Sequence, residues 1–299
     1  MPRSHRAQPR PRIETGTWRW LARRWLPAYG DDVREPIAIR PGARLRGSWQ
    51  WHAVASIIGG LILWEVIARF VLRNPAFLVP PSTVLLRGWE MLLSGQLLYQ
   101  CFVSGQEFLW GFLLASVVGI LLGALMAISG TVRAYLDPWI SAAYAAPIIA
   151  LAPLIILWFG VDVLSKVVVV FVLVVFPMII NTEAGIRSTD ENLIRMARSF
   201  GAGRVQMFFT VALPSALPFV VSGLRLGVGR GLTAVVVGEL FGARAGLGYL
   251  IYNSSQVFDM ATLFVAVAIL AIAGIVLTRL LQRLEHHLSV YRQPARTQL

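Results

Sequence analysis

The chain has 299 residues, 57% of them hydrophobic and 14% charged, with a mean hydropathy of +0.67. A soluble domain carries about 25% charged residues, so this composition excludes disorder and argues against a water-soluble globule. The charge is one-sided, 27 Lys and Arg against 15 Asp and Glu, and such an excess points either to nucleic acid or to a membrane surface until its position along the chain is known.

Two single residues exclude more. Cys101 is the one cysteine, so there is no intrachain disulfide framework and no cysteine-based metal cluster. Lys166 is the one lysine, in Leu164-Ser165-Lys166-Val167. A phosphate-cradling P-loop needs Gly-Lys-Ser/Thr, and the chain lacks it.

Residues 1–50 hold eleven arginines. Pro2, Pro9, Pro11, Pro27, Pro36 and Pro41 oppose a long helix there. The first apolar run begins some fifty residues in and is too long for a signal-peptide core. The segment reads as an arginine-rich tail. Either it rests on anionic lipid headgroups, with Trp18, Trp20 and Trp25 among Arg19, Arg23 and Arg24 in a short interfacial helix, or it is an unstructured extension.

A helix needs about 20 mostly apolar residues to cross a bilayer. Six stretches qualify: 53–72, 107–128, 137–159, 164–182, 217–241 and 259–280. Glu65 and Arg69 in the first are four apart, so they share a face and can pair. After Pro75, Pro80 and Pro81, Ser82-Thr83 opens a short amphipathic helix. Its apolar side carries Val84, Leu85, Trp89, Leu92 and Leu93, and its polar side Arg87, Glu90 and Ser94. The expected fold is an all-α integral membrane protein of about six transmembrane helices. Its parts are a tail (1–50), the first helix with the amphipathic segment (51–103), a core (104–285) and a C-terminal tail (286–299).

Basic residues mark the cytoplasmic side of a membrane protein. With the N-terminus inside, the inner segments hold twenty Lys and Arg. The outer ones hold four: Arg73, Arg87, Arg244 and, at a span edge, Lys166. Both termini are therefore expected in the cytoplasm. The basic excess belongs to the membrane surface, not to nucleic acid.

The loop 183–216 is the longest polar stretch between spans and falls on the inner side. Ser188 or Thr189 can cap a first short helix with Glu191 in its opening turn. Leu193, Ile194, Ala197 and Phe200 give that helix an apolar face. Gly201 and Gly203 break it. A second turn or two spans Arg204 to Val211, and Pro214 is expected to end it before the next span. A helical, semi-apolar loop of this kind suits docking into another protein.

This loop resembles the signature of permease subunits of binding-protein-dependent ABC importers: Glu-Ala-Ala, three residues, Gly, nine residues, Ile-x-Leu-Pro. The matching positions are Arg195-Met196-Ala197, Gly201 and Val211-Ala212-Leu213-Pro214. The departures are Arg195 in place of the acidic residue and Met196 in place of the first alanine. Ile156-Leu157-Trp158-Phe159-Gly160, Asn181-Thr182, Ser199-Phe200-Gly201-Ala202, Gly223-Leu224-Arg225 and Gly246-Leu247-Gly248-Tyr249-Leu250 are similar to the nitrate/sulfonate/taurine branch. The resemblance covers roughly residues 75–285.

The resemblance implies a type I ABC importer permease fold in a bacterial cytoplasmic membrane. It implies two copies of the chain forming the pore, two separate ATPase subunits beneath, and a periplasmic or lipid-anchored binding protein delivering substrate. The chain itself would hold no cofactor, since the partner subunit binds ATP. Arg195, Met196, Ala197, Ser199, Phe200, Gly201, Ala202, Arg204, Leu213 and Pro214 would couple to the ATPase. The substrate would be a small anion such as nitrate, an alkanesulfonate or taurine, or else a vitamin precursor or aromatic acid.

Ionisable groups inside spans are functional candidates. Arg225, Arg230 and Glu239 lie in the fifth span, where they either line a pathway or brace the bundle. Glu107, Asp137 and Asp162 are expected at span edges, within reach of water. Trp110, Trp139, Trp158 and Tyr249 suit an interfacial belt. His5, His52, His286 and His287 form no metal constellation. An ion-coupled secondary transporter would show repeats and membrane-centre acids, and an enzyme would show a convergent catalytic set. Neither pattern is visible.

Overall fold

The computed structural model describes residues 48–72, 74 and 76–288. Trp18, Trp20, Trp25, Arg73 and the tail beyond Leu288 lie outside the described residues, as do the side chains of His286 and His287. Among the described residues there is no strand. The chain divides into two units, 1–59 and 60–299. In the first, the described residues form the opening turns of helix α1.

Helix α1 (Ser48–Val66) runs into a π-helical turn, Ile67–Val71. Glu65 and Arg69 pair at 2.5 Å, as their spacing predicts. Together they hold the start of α2 (Pro81–Leu93): the Ser82 amide donates to Glu65 at 3.1 Å, and Arg69 donates to the Ser82 hydroxyl at 3.0 Å. A carboxylate beside the free amides of a helix start is favourable.

Helix α2 exists where the pattern places it, but its inward face differs. Val84 and Met91 are buried, and Arg87 donates to Thr262 at 3.0 Å. Leu85, Trp89 and Leu93 are exposed instead. The soluble-protein rule of apolar-inward does not hold for a helix at a membrane.

Helix α3 (Gln96–Ile128) starts eleven residues before the expected second span. It lies against α6 (Val163–Arg187), the central helix of the bundle, whose other side meets α9. Gly111, Gly119 and Gly123 make that approach possible. A methyl on Gly123 would stand 2.6 Å from the Ile179 carbonyl oxygen, and one on Gly119 would collide with Met178. Small residues let membrane helices pack backbone to backbone.

The third span is not the single helix 137–159. It begins earlier, as α4 (Gly130–Ala145), and turns through 84° into a 3-10 turn, Ile148–Leu151, and α5 (Ala152–Phe159). Pro147 causes the break. Its ring disfavours helical geometry at the preceding residue, and Ala146 is extended at φ −69°, ψ 147°. With the bent pair counted as one, six spans result.

Helices α7 (Glu191–Ser199) and α8 (Arg204–Met207) follow α6. Pro214 does not end the helical run, contrary to the sequence expectation. A π-helical turn, Phe208–Ala212, leads into α9 (Leu213–Leu240), which keeps Pro214 in its first turn. A proline ring clashes with the carbonyl four residues back and cannot donate to it. The widened π turn accommodates both defects. Helices α10 (Leu247–Gln256) and α11 (Met260–Leu288) complete the bundle.

Candidate functional site: an exposed helical knob and a buried-charge scaffold

Helix α6 extends to Arg187, so Glu183 belongs to it rather than to the loop, and pairs with Arg133 at 2.8 Å. The Ser188 and Thr189 hydroxyls donate back to the carbonyls of Gly185 and Ile186, each at 2.8 Å. They close α6 and are not free to cap α7. Asp190 caps it instead, accepting from the Asn192 amide at 2.8 Å.

The end of α7 is a Schellman turn. The Gly201 amide donates to the Arg198 carbonyl at 3.0 Å, and the Ala202 amide to the Ala197 carbonyl at 3.1 Å. This geometry needs a left-handed residue after the last helical one, and Gly201 supplies it at φ +82°. The expected break at Gly201 is thus a hydrogen-bonded corner.

The predicted apolar face of α7 is split. Ile194 and Ala197 are half-buried, whereas Leu193, Met196 and Phe200 face outward with Val205 and Phe209. Phe200 is 86% exposed. Arg195 is exposed and pairs only loosely with Glu191, at 3.7 Å. Ser199 donates to the Met196 carbonyl at 2.8 Å. Arg204 opens α8, and Leu213 and Pro214 sit half-buried in the first turn of α9. The ten residues are therefore in one place, but only the α7–α8 part projects.

The three pathway candidates have different surroundings. Arg225 forms an ion pair with Glu285 of α11. Arg230 has no carboxylate within 4.0 Å among the described residues. It donates to the Tyr144 hydroxyl at 3.0 Å, and its guanidinium carbon lies 4.5 Å from the centre of that ring. Both border a cavity of about 430 Å³ at the break in the third span. Glu239 is 1% exposed.

Glu239 instead organises the junction between α9 and α10. It accepts from the Ser104 hydroxyl and from the Gly248 amide, both at 2.5 Å. The Ser104 oxygen in turn accepts from the Leu247 amide at 2.7 Å. The Gln100 side chain accepts from the Gly246 amide at 2.5 Å. Glu107 and Lys166 complete the cluster. Both are buried, although the sequence places both at span edges and Glu107 within reach of water. Lys166 donates to the carbonyls of Val161 and Asp162 at the start of α6. The missed signal is a stripe: Gln100, Ser104, Glu107, Gly111, Ala115 and Gly119 repeat at helical spacing on the inward face of α3. Trp110, Trp139 and Trp158 are exposed, and Tyr249 is half-buried.

A helical bundle with six spans, one of them broken, and a rigid knob between two of them is the architecture of a type I ABC importer permease. Comparison with a solved structure supports the fold. A chain of the MetNI methionine ABC transporter, in inward-facing conformations, superposes with a TM-score of 0.58 at 18% identity, covering 66% of this chain and 97% of that one. Residues 116–289 match the family of binding-protein-dependent transport system inner membrane components, and the chain belongs to that family. SsuC of Bacillus subtilis (strain 168), a permease protein assigned to aliphatic sulfonates transport, is 32% identical over 86% of this chain and 93% of its own length. The riboflavin transport system permease protein RibX of Chloroflexus aurantiacus is 37% identical, covering 82% of this chain and 94% of its own. The chain is thus the multi-pass permease component of a binding-protein-dependent importer.

Proposed function

We propose that two copies of this chain form the translocation pathway of an ATP-driven importer for a small anion such as nitrate, an alkanesulfonate or taurine. Both termini lie in the cytoplasm, and the knob around Met196, Phe200 and Gly201 seats in a separate ATPase subunit. A binding protein delivers substrate from the opposite side. The observation that carries this reading is the knob: a rigid Schellman corner that shows Leu193, Met196, Phe200 and Val205 to the outside. Coupling transmits a rigid-body displacement, so a stiff apolar contact suits it. The substitution of Arg195 for the acidic residue means that this contact rests on apolar burial more than on an ion pair.

An anion fits Arg230, a cation in mid-span without a carboxylate, whereas Arg225 is spent on Glu285 and Glu239 on the α9–α10 junction. The likeness to RibX supports a second reading, a vitamin-type substrate in the same importer class.

The test is uptake by proteoliposomes holding this chain, its ATPase and its binding protein. ATP-dependent accumulation that Phe200→Ala abolishes is the expected result. Uptake that proceeds without ATP overturns the reading in favour of an ion-coupled carrier.

A further inference from the structure

The cavity at the broken span holds more chemistry than a lone positive charge. Its polar end is the Arg230–Tyr144 pair, and its walls are Pro147, Ile148, Ile149 and Leu173. Arg230 sits in the eighteenth position of the 28-residue α9, deep in a membrane span. An ionised group there is costly unless paired or used. Five residues earlier, Arg225 is neutralised by a carboxylate. Among the described residues Arg230 has an aromatic face and a phenol oxygen but no carboxylate.

The hydrogen-bond inventory decides what this arrangement can take. A guanidinium has five N–H donors and no acceptor. Here one of them is used on Tyr144. The Tyr144 oxygen accepts that bond, so its own proton is free to be donated. The Thr233 hydroxyl, also at the cavity, is already given to the Gly229 carbonyl at 3.0 Å. The open donors are therefore those of Arg230 and Tyr144, side by side at the same cavity. A planar or tetrahedral oxyanion with several oxygens fits such a pair.

What lines the remaining wall narrows the class. Among the described residues no carboxylate borders the cavity. A substrate ammonium would enter without a partner, which is costly in an apolar site. The wall beyond the arginine is a proline and three branched aliphatic residues, which suit an alkyl chain. A volume of about 430 Å³ exceeds what a bare inorganic oxyanion fills.

We infer that Arg230 and Tyr144 are the oxyanion receptor of the pathway and select a short-chain alkanesulfonate over a zwitterionic aminosulfonate and over nitrate. This rests on the reading of the chain as the importer's anion pathway. The apolar elbow at Ala146–Pro147 holds the chain of the substrate, and the guanidinium and phenol hold its head. Tyr144 comes from α4, just before the break, and Arg230 from α9, so an oxyanion bound by both ties α4 to α9.

The experiment is binding to the assembled permease–ATPase complex in nanodiscs, without binding protein, probed with butane-1-sulfonate, taurine and nitrate. Butane-1-sulfonate is expected to bind about tenfold or more tightly than taurine, the scale of leaving one charged group unpaired. Arg230→Gln should lose at least about tenfold for butane-1-sulfonate, and Tyr144→Phe about three- to tenfold, because each removes a donor to a charged group. Arg230→Lys should retain part of the affinity. Should Arg230→Gln fail to assemble, Tyr144→Phe, which keeps the ring under the guanidinium, carries the test. Equal binding of taurine and butane-1-sulfonate, or affinity unchanged in Tyr144→Phe, overturns the inference. Either result is separable from failure of the importer reading. A complex that drives ATP-dependent uptake yet shows no such selectivity sinks only the receptor. A complex without ATP-dependent uptake sinks the importer, whatever it binds.

Discussion

The α7–α8 knob and the α9–α10 junction are opposite solutions to holding a short segment in place. The knob is held by local bonds: the Asp190 side-chain cap and the Schellman bonds of Gly201 and Ala202. Its apolar side chains stay outside. The junction is held by side chains, Glu239 nearby and Ser104 and Gln100 more than 140 residues away, which bind the amides of Gly248, Leu247 and Gly246. Its polar groups are buried. In the proposed coupling role, a segment that meets a partner keeps its surface unspent and its shape local. A segment that must not move takes its bonds from the rest of the bundle. The two therefore break differently when mutated.

The largest effect on stability is expected from Glu239→Ala, which leaves the Ser104 hydroxyl and the Gly248 amide buried without an acceptor. A loss of about 3–5 kcal/mol is the scale for breaking a buried charged network, seen as a lower unfolding temperature of the assembled complex. Glu239→Gln, which keeps one acceptor oxygen, should lose less. A variant as stable as the parent would mean that the junction is not what locks this end.

Phe200→Ala should do the reverse. Stability should change by under about 0.5 kcal/mol, since the ring covers nothing in this chain. The ATPase subunit should bind about thirtyfold more weakly, as for an interface hot spot of about 2 kcal/mol. Pull-down of the ATPase at graded concentrations reads this. Gly201→Val sharpens the contrast further. There is open space around Gly201, so the penalty is only the left-handed backbone, about 1–2 kcal/mol. The corner should fray, and ATP hydrolysis should continue with reduced uptake.

The smallest effect concerns Asp259, between α10 and α11. Burial raises its pKa, but the hydroxyl and amide of Thr262 and the Arg87 guanidinium outweigh this and hold the carboxyl below the usual aspartate value. A depressed folded pKa contributes stability above the unfolded value and loses it as pH falls through the folded one. The unfolding temperature should therefore drop slightly more for the parent than for Asp259→Asn as pH is lowered below about 4.

Much of this was legible from residue spacing. Gly201 marks the corner, Glu65 and Arg69 mark their pair, and long uncharged runs mark the spans. The break at Ala146–Pro147 was hidden because hydropathy runs smoothly across it; only Pro147 signals it. Pro214 misleads for the opposite reason, since a π turn absorbs a proline that the local rule treats as a stop. Glu107 and Lys166 appear wet when judged by distance from a span end, and buried once the small-residue stripe of α3 is followed. The difference between Arg225 and Arg230 was not legible at all. It depends on Glu285, sixty residues away from Arg225, which only the fold brings near.

One feature of the fold joins the knob to the cavity. From Arg204 to Leu240 the chain is a single apolar helical run of 37 residues, with the π turn and Pro218 as its irregular points. Val205 and Arg230 are 25 residues apart on it, roughly 38 Å at helical rise. In the proposed importer this run would serve as a push-rod, with Val205 at the end offered to the ATPase and the guanidinium near the other. On that proposal a stroke delivered at Val205 would be carried to Arg230, while Tyr144 is mounted on a different helix.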